Sequence, residues 1–251
     1  WVQRGIFTRA VRWDGSNSAA TELGALPFLS EDMVAFAVND VGTAVGWAED
    51  FFGSNVRAIR WDASSGAATE LGNIGTTPLG QFFSYAYDIN ESGTTIGTAS
   101  KYFPGASYAR NRAVRWEASE SSATELGGLE FDTDDLYESE AFAINNNGIA
   151  VGYIAPPFPT SMDQRAVIWL KDGRAVDLNS LIDPSSGWTL TVANGISNTG
   201  WVTGFGFFDP DGQGGSSETY QRLFLLQIPI PEPSSYVLAL FALVGLSARR
   251  H

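Results

Sequence analysis

Five carboxylates crowd together at Asp132, Asp134, Asp135, Glu138 and Glu140, and two more flank a glycine-rich turn at Asp209 and Asp211. Two carboxyl groups held at the right separation do glycosidase chemistry, one as acid and the other as base or nucleophile; a solvated acidic loop is the plainer use of the same residues. The run Asp209-Pro-Asp211-Gly-Gln-Gly-Gly gathers oxygen donors as a calcium loop does. With Asp209 as its first position, however, the twelfth is Tyr220, where an EF-hand needs a bidentate acid. Asp209 and Asp211 therefore read as an Asp-Gly turn, and no metal or cofactor is expected. The remaining candidates are aromatic: Phe51, Phe52, Tyr102, Phe103, Phe158, Phe207 and Phe208. On one face they form a sugar-stacking surface; between packed sheets they fill gaps.

Other chemistry is closed to the chain. Its 251 residues include no Cys, and the one His is His251, so thiol nucleophiles, disulfides, internal His bases and Cys or His metal cages are ruled out. Lys plus Arg number 15 against 28 Asp plus Glu, a formal net charge of −13 that repels phosphate backbones and makes nucleic acid an unsuitable partner. A hydrophobic share of 44% is that of a folded body, and no catalytic role is expected of it.

The elements that must hold any site are repeats. Arg-Ala-Val-Arg-Trp at 9–13 returns as Arg-Ala-Ile-Arg-Trp at 57–61, Arg-Ala-Val-Arg-Trp at 112–116, Arg-Ala-Val-Ile-Trp at 165–169 and, degenerate, Arg-Leu-Phe-Leu-Leu at 222–226. Successive starts lie 48, 55, 53 and 57 residues apart, a period that marks propellers, solenoids or arrays. Thr-Glu-Leu-Gly follows the first three copies at 21–24, 69–72 and 124–127, and Val-Asp-Leu-Asn at 176–179 follows the fourth. Between them recur Val38 to Gly46, Ile89 to Gly97, Ile144 to Gly152 and Ile196 to Gly204, each with Gly four and eight positions after the leading aliphatic residue.

Each unit thus reads as two antiparallel hairpins. In the first, Asn bonds its own backbone and Gly takes a positive φ. In the second, folding the chain midway sets Trp13 opposite Thr21, Arg12 opposite Glu22 and Val11 opposite Leu23, so that a cation meets an anion. The recurring Trp13, Trp61, Trp116 and Trp169 read as core. Four short strands per unit and no helical periodicity predict an all-β, β-propeller-like array over residues 1–230. Its units fall at about 1–27, 35–74, 85–129, 141–182 and 193–230, the last without its fourth strand. The opening residue is Trp1, without Met or leader, which suggests an N-terminal truncation.

Residues 231–251 change character. Pro231-Glu232-Pro233-Ser-Ser leads into an apolar run from Tyr236 to Ala248 and then Arg249-Arg250-His251. As a helix the run would extend about 20 Å, short of a full bilayer core, and the basic end fits a cytoplasmic stop.

This order resembles the PEP-CTERM sorting signal of exported bacterial proteins, with Pro231, Glu232, Pro233, Arg249 and Arg250 at its recognition positions. The resemblance implies export by a Gram-negative bacterium, transient inner-membrane contact through a short C-terminal hydrophobic sorting helix, and an exosortase-type processing enzyme as partner. The repeats in turn resemble the extracellular HAF repeat family, with Arg-Ala-Val standing for His-Ala-Phe. Together these imply an exported, surface- or matrix-associated scaffold that meets extracellular polysaccharide. The alternatives are an extracellular carbohydrate-active enzyme and a lectin-like glycan-binding propeller.

Overall fold

The computed structural model describes residues 8–13, 15, 19–26, 29–50, 55–77, 79–103, 109–129, 136–156, 163–212 and 218–229. All of its regular structure is β apart from one 3-10 turn, Leu178–Leu181. The strands fall into five antiparallel sheets that follow chain order. The first unit holds β1 (Val11–Trp13) and β2 (Ala20–Glu22). The second runs β3 (Leu29–Val38), β4 (Ala44–Asp50), β5 (Val56–Trp61) and β6 (Ala68–Glu70). The third is β7 (Ser84–Ile89), β8 (Thr95–Tyr102), β9 (Ala109–Trp116) and β10 (Thr124–Glu125), and the fourth β11 (Glu138–Ile144), β12 (Ala150–Ala155), β13 (Arg165–Trp169) and β14 (Ala175–Asp177). The fifth has β15 (Trp188–Ile196), β16 (Trp201–Phe208) and β17 (Tyr220–Gln227) and no fourth strand among the described residues.

Within each sheet every strand pairs with its neighbour in sequence, an up-and-down order made from two hairpins. The first hairpin turns as its Asn and Gly suggest. Asn90 Oδ1 accepts the Thr94 amide at 3.0 Å, four residues on, and the Gly93 amide returns to the Asn90 carbonyl. Gly93 has φ +83°, a left-handed conformation that only Gly adopts without strain.

The second hairpin differs from the expected register by one residue. Val11 faces Glu22, Arg12 faces Thr21 and Trp13 faces Ala20. A one-residue shift exchanges the two faces of a strand, so the acid leaves the second Arg and meets the first. Arg9 pairs with Glu22 at 3.1 Å, Arg57 with Glu70 at 2.5 Å and Arg112 with Glu125 at 3.0 Å, each 13 residues apart in sequence.

The second Arg instead reaches across to the next unit. Arg12 donates to the Ala63 carbonyl, Arg60 to the Ala118 and Glu117 carbonyls, and Arg115 to those of Lys171 and Gly148. The fourth unit has Ile168 at this position, and it packs into an apolar cluster with Val202 of the fifth.

Two more contacts close the first three junctions. The Gly24, Gly72 and Gly127 amides donate to Gly66, Ser121 and Gly173 carbonyls in the following unit, at 2.8, 2.5 and 2.9 Å. The same three glycines accept, through their own carbonyls, the indole N–H groups of Trp61, Trp116 and Trp169 at 2.8–2.9 Å. Those indoles are fully buried. Trp13 is not core: it is 63% exposed, because no described unit lies before it to supply a glycine carbonyl.

An asparagine ladder ties the first hairpins together. Asn39 Nδ2 donates to the Asn90 carbonyl at 3.2 Å, Asn90 to Asn145 at 3.1 Å and Asn145 to Ser197 at 3.1 Å. The first strands β3, β7, β11 and β15 contact one another in that order, so the four larger sheets converge along them.

The second glycine of the turn motif answers to a β-bulge. Ala86 pairs with Gly97 and Asp88 with Ile96, leaving Tyr87 unpaired on the bulged strand. The bulge brings the Tyr85 carbonyl to 1.9 Å from where a Cβ on residue 97 would sit. Gly46, Gly152 and Gly204 meet the Val34, Glu140 and Val192 carbonyls in the same way.

Gly97→Ala should therefore destabilise the chain by about 2 kcal/mol or more, while Gly15→Ala, with open space around it, should stay within about 0.5 kcal/mol. Asn90→Ala should cost about 2 to 4 kcal/mol, since the buried Thr94 amide and the Asn145 carbonyl both lose a partner. Urea midpoints of the three variants check these values.

Candidate functional site

Side chains that recur from unit to unit are occupied in fastening the units, and the cavities between units follow the same repetition. One of about 530 Å³ lies beside Asn39, Arg60, Glu91 and Glu120. Its counterpart one junction on, about 480 Å³, lies beside Arg115, Glu117, Lys171 and Arg174. Both belong to the junction rather than to a particular ligand.

A different kind of surface follows the bulges. The residue left unpaired by the bulge nearest the turn is Phe36, Tyr87, Phe142 and Asn194 in turn, and β3 and β15 each carry a second irregularity farther from it. A bulge re-aims its side chain out of the ladder, and here it lines up three rings on neighbouring strands. The centroids of Phe36 and Tyr87 are 5.8 Å apart, as are those of Tyr87 and Phe142. Tyr153 continues the row at 5.9 Å from Phe142. Tyr85 stacks on Tyr87 at 6.1 Å, and Trp47 meets Tyr85 edge-on at 6.1 Å. Phe36 is half exposed and Asn194 is exposed; the other rings are partly buried.

Glu140 lies among these rings. It faces Tyr153 across the β11–β12 ladder, and its Oε1 accepts from Asn111 Nδ2 at 3.0 Å. The Tyr153 hydroxyl also donates to it. Burial raises the Glu140 carboxyl above its ordinary value, with those two hydrogen bonds opposing the rise. Burial first, and the Glu140 charge second, push the Tyr87 and Tyr153 phenols up. Asp88 is likewise raised by burial, although it accepts the Ile144 amide at 2.8 Å and the Ile89 amide at 2.9 Å.

Other sequence candidates are held elsewhere. Glu138 is paired with buried Arg110 at 3.0 Å. Asp132, Asp134 and Asp135 lie outside the described residues, as do Phe51, Phe52 and Phe158. Phe103 sits under two cations, Lys101 at 5.7 Å and Arg112 at 5.4 Å, in the manner of a gap filler. Phe208 packs on Trp188 at 5.4 Å within the fifth sheet, and Phe207 neighbours it on β16. Asp209 and Asp211 share a hydrogen bond that raises Asp209, and no group of three metal-ligating side chains occurs among the described residues. The segment with Pro231, Glu232, Pro233, Arg249 and Arg250 also lies outside the described residues, and within them no helix is long and apolar enough to cross a membrane.

The bulged row was missed in sequence although a signal for it exists. Ala-aromatic pairs at Ala35-Phe36, Ala86-Tyr87 and Ala141-Phe142 each stand two residues before the aliphatic residue that opens the turn motif.

A carboxyl raised in the folded state keeps its proton where the unfolded chain has released it. The stability contributed by Glu140 and Asp88 is therefore greatest below the ordinary carboxylate range and is lost as pH rises through their folded values. Urea unfolding between about pH 4 and pH 7 should show this fall, and Glu140→Gln should flatten it while retaining an acceptor for Asn111. Equal slopes in both proteins would remove Glu140 from the titration.

Comparison with known proteins adds a family. The match spans residues 7–226, from ahead of β1 into β17, and neither a HAF repeat family nor a PEP-CTERM family is detected. No curated protein matches the chain. Since the matched span covers most of its length, the chain belongs to the family described as "Protein of unknown function (DUF3466)".

Proposed function

We propose that this chain is an exported, surface- or matrix-associated repeat protein without a catalytic role, an interaction scaffold for extracellular polymer. The observation behind this reading is the use of the recurring polar residues. The second Arg, the Trp, the Asn and the Thr-Glu-Leu-Gly glycine all bond one unit to the next. A body fastened in this way presents a long rigid surface, as repeat proteins do.

The finer architecture we propose is an arc of a β-propeller. In support, four-stranded up-and-down sheets stand in sequence with their first strands in mutual contact. The ends of the series support it as well. Leu223 and Leu225, 82% and 68% exposed, occupy the positions of Ala113 and Arg115, which the following unit covers. At the other end Val38 is exposed as well, beside Trp13 and Phe36 over a groove of about 390 Å³.

Export rests on the resemblance of Pro231-Glu232-Pro233, the apolar run and Arg249-Arg250 to a PEP-CTERM signal. In this reading an exosortase-type enzyme processes the segment after transient inner-membrane contact, and the repeat body ends outside the cell. Residues 231–251 fused to a reporter should then carry it to the envelope of an exosortase-bearing bacterium, and the chain lacking them should appear in the medium. An unchanged distribution after deletion would sink the reading.

A further inference from the structure

The bulged row joins neighbouring units by ring contacts, with Tyr87 packed against the apolar cluster around Ile144, and it still leaves Phe36 half exposed. Three rings, Phe36, Tyr87 and Phe142, come from three sheets at equal 5.8 Å steps. The second glycine of each turn motif makes room for the bulge that aims them, so the row is written into the repeat. Yet the ring is not needed for the bulge. The fifth unit keeps the bulge and Gly204 and places exposed Asn194 there.

We infer that the row formed by Phe36, Tyr87 and Phe142 binds a neutral, unbranched polysaccharide, one sugar ring to each aromatic step. This deepens the scaffold reading above and rests on it only for the polymer being extracellular.

A pyranose offers an apolar C–H face and a rim of hydroxyl donors. The row answers the first with partly exposed ring surface. It answers the second with acceptors beside the rings: the Glu140 carboxylate, and the Glu49 carboxylate whose charge acts on Tyr85. Asn194 adds an amide at the far end. The same carboxylates, with a net charge of −13, repel anionic polymers such as polyuronates. A proline-rich peptide also lies on aromatic rows, but its prolines lack the N–H donors that carboxylates require.

Titration calorimetry on the full chain tests the assignment. The probes are β-1,4-linked glucohexaose, mannohexaose and β-1,3-linked glucohexaose, with hexagalacturonate and a decaproline peptide as contrasts. At least one neutral hexaose should bind and neither contrast should. Phe36→Ala should weaken that binding roughly three- to tenfold with an unchanged urea midpoint. Asn194→Phe, which extends the row at an exposed position, should strengthen it by a similar factor. Should Phe36→Ala unfold, Asn194→Phe decides alone. No neutral binding, indifference to Asn194→Phe, or preference for either contrast overturns the inference. The reporter fusion is independent of all these outcomes, so failure here and failure of the export reading are told apart.

Discussion

A glycine at the end of each Thr-Glu-Leu-Gly segment donates its amide forward and receives an indole N–H back, and the array depends on that exchange. An isolated sheet of four short strands has two apolar faces and cannot bury both. Gly72 shows how the second face is covered: its amide meets the Ser121 carbonyl while its own carbonyl takes Trp116 Nε1. A side chain there would press on Ser121, since an added Cβ would stand 2.9 Å from that carbonyl oxygen. Close approach therefore comes first, and the burial of Trp116 follows from it. The Arg60 and Asn90 bonds then fix the angle between neighbouring sheets.

The bulge is a second, independent constraint, and it acts within a sheet. It consumes one residue of each first strand in aiming a side chain, with Gly97 and its equivalents removed from the way. Junctions and bulges thus divide the work. The first three junctions repeat the same residues and the fourth is mainly apolar, whereas a bulge asks only for a glycine opposite. That freedom is visible in the sequence of bulged residues, which runs Phe, Tyr, Phe and Asn.

Much of this was legible in the sequence. The two hairpins of the middle units and the positive-φ glycine after Asn follow from spacing. The register of the second hairpin did not, because pairing Arg12 with Glu22 satisfies charge as well as the true pairing of Arg9 with Glu22 does. The difference lies in what Arg12 does next, donating to Ala63 in another unit, and a pattern confined to one hairpin holds no trace of that. Trp13 misled for a related reason: its type marks it as core, but burial is conferred by a neighbouring unit. The bulged row is hidden because an Ala-aromatic step such as Ala86-Tyr87 reads equally well as ordinary strand alternation. Glu140 was visible as one acid among five, and only its neighbours Asn111 and Tyr153 distinguish it.

Apart from the indole bonds and the Ile144 amide bond to Asp88, which reach back, the bonds between units named above also have a direction in time. The guanidinium of Arg60, the amide of Gly72 and the Nδ2 of Asn90 all find their acceptors later in the chain. On a polypeptide delivered from its N-terminus, each new sheet holds donors whose acceptors have not yet emerged, and water must serve until they do. Locking is retroactive: a unit becomes rigid when its successor arrives. The fifth unit changes the residues, with Ser197, Leu225 and Leu226 where Asn, Arg and Trp stand before. Among the described residues these three side chains hold no donor for a later unit, so this sheet can settle without a successor's hydrogen bonds.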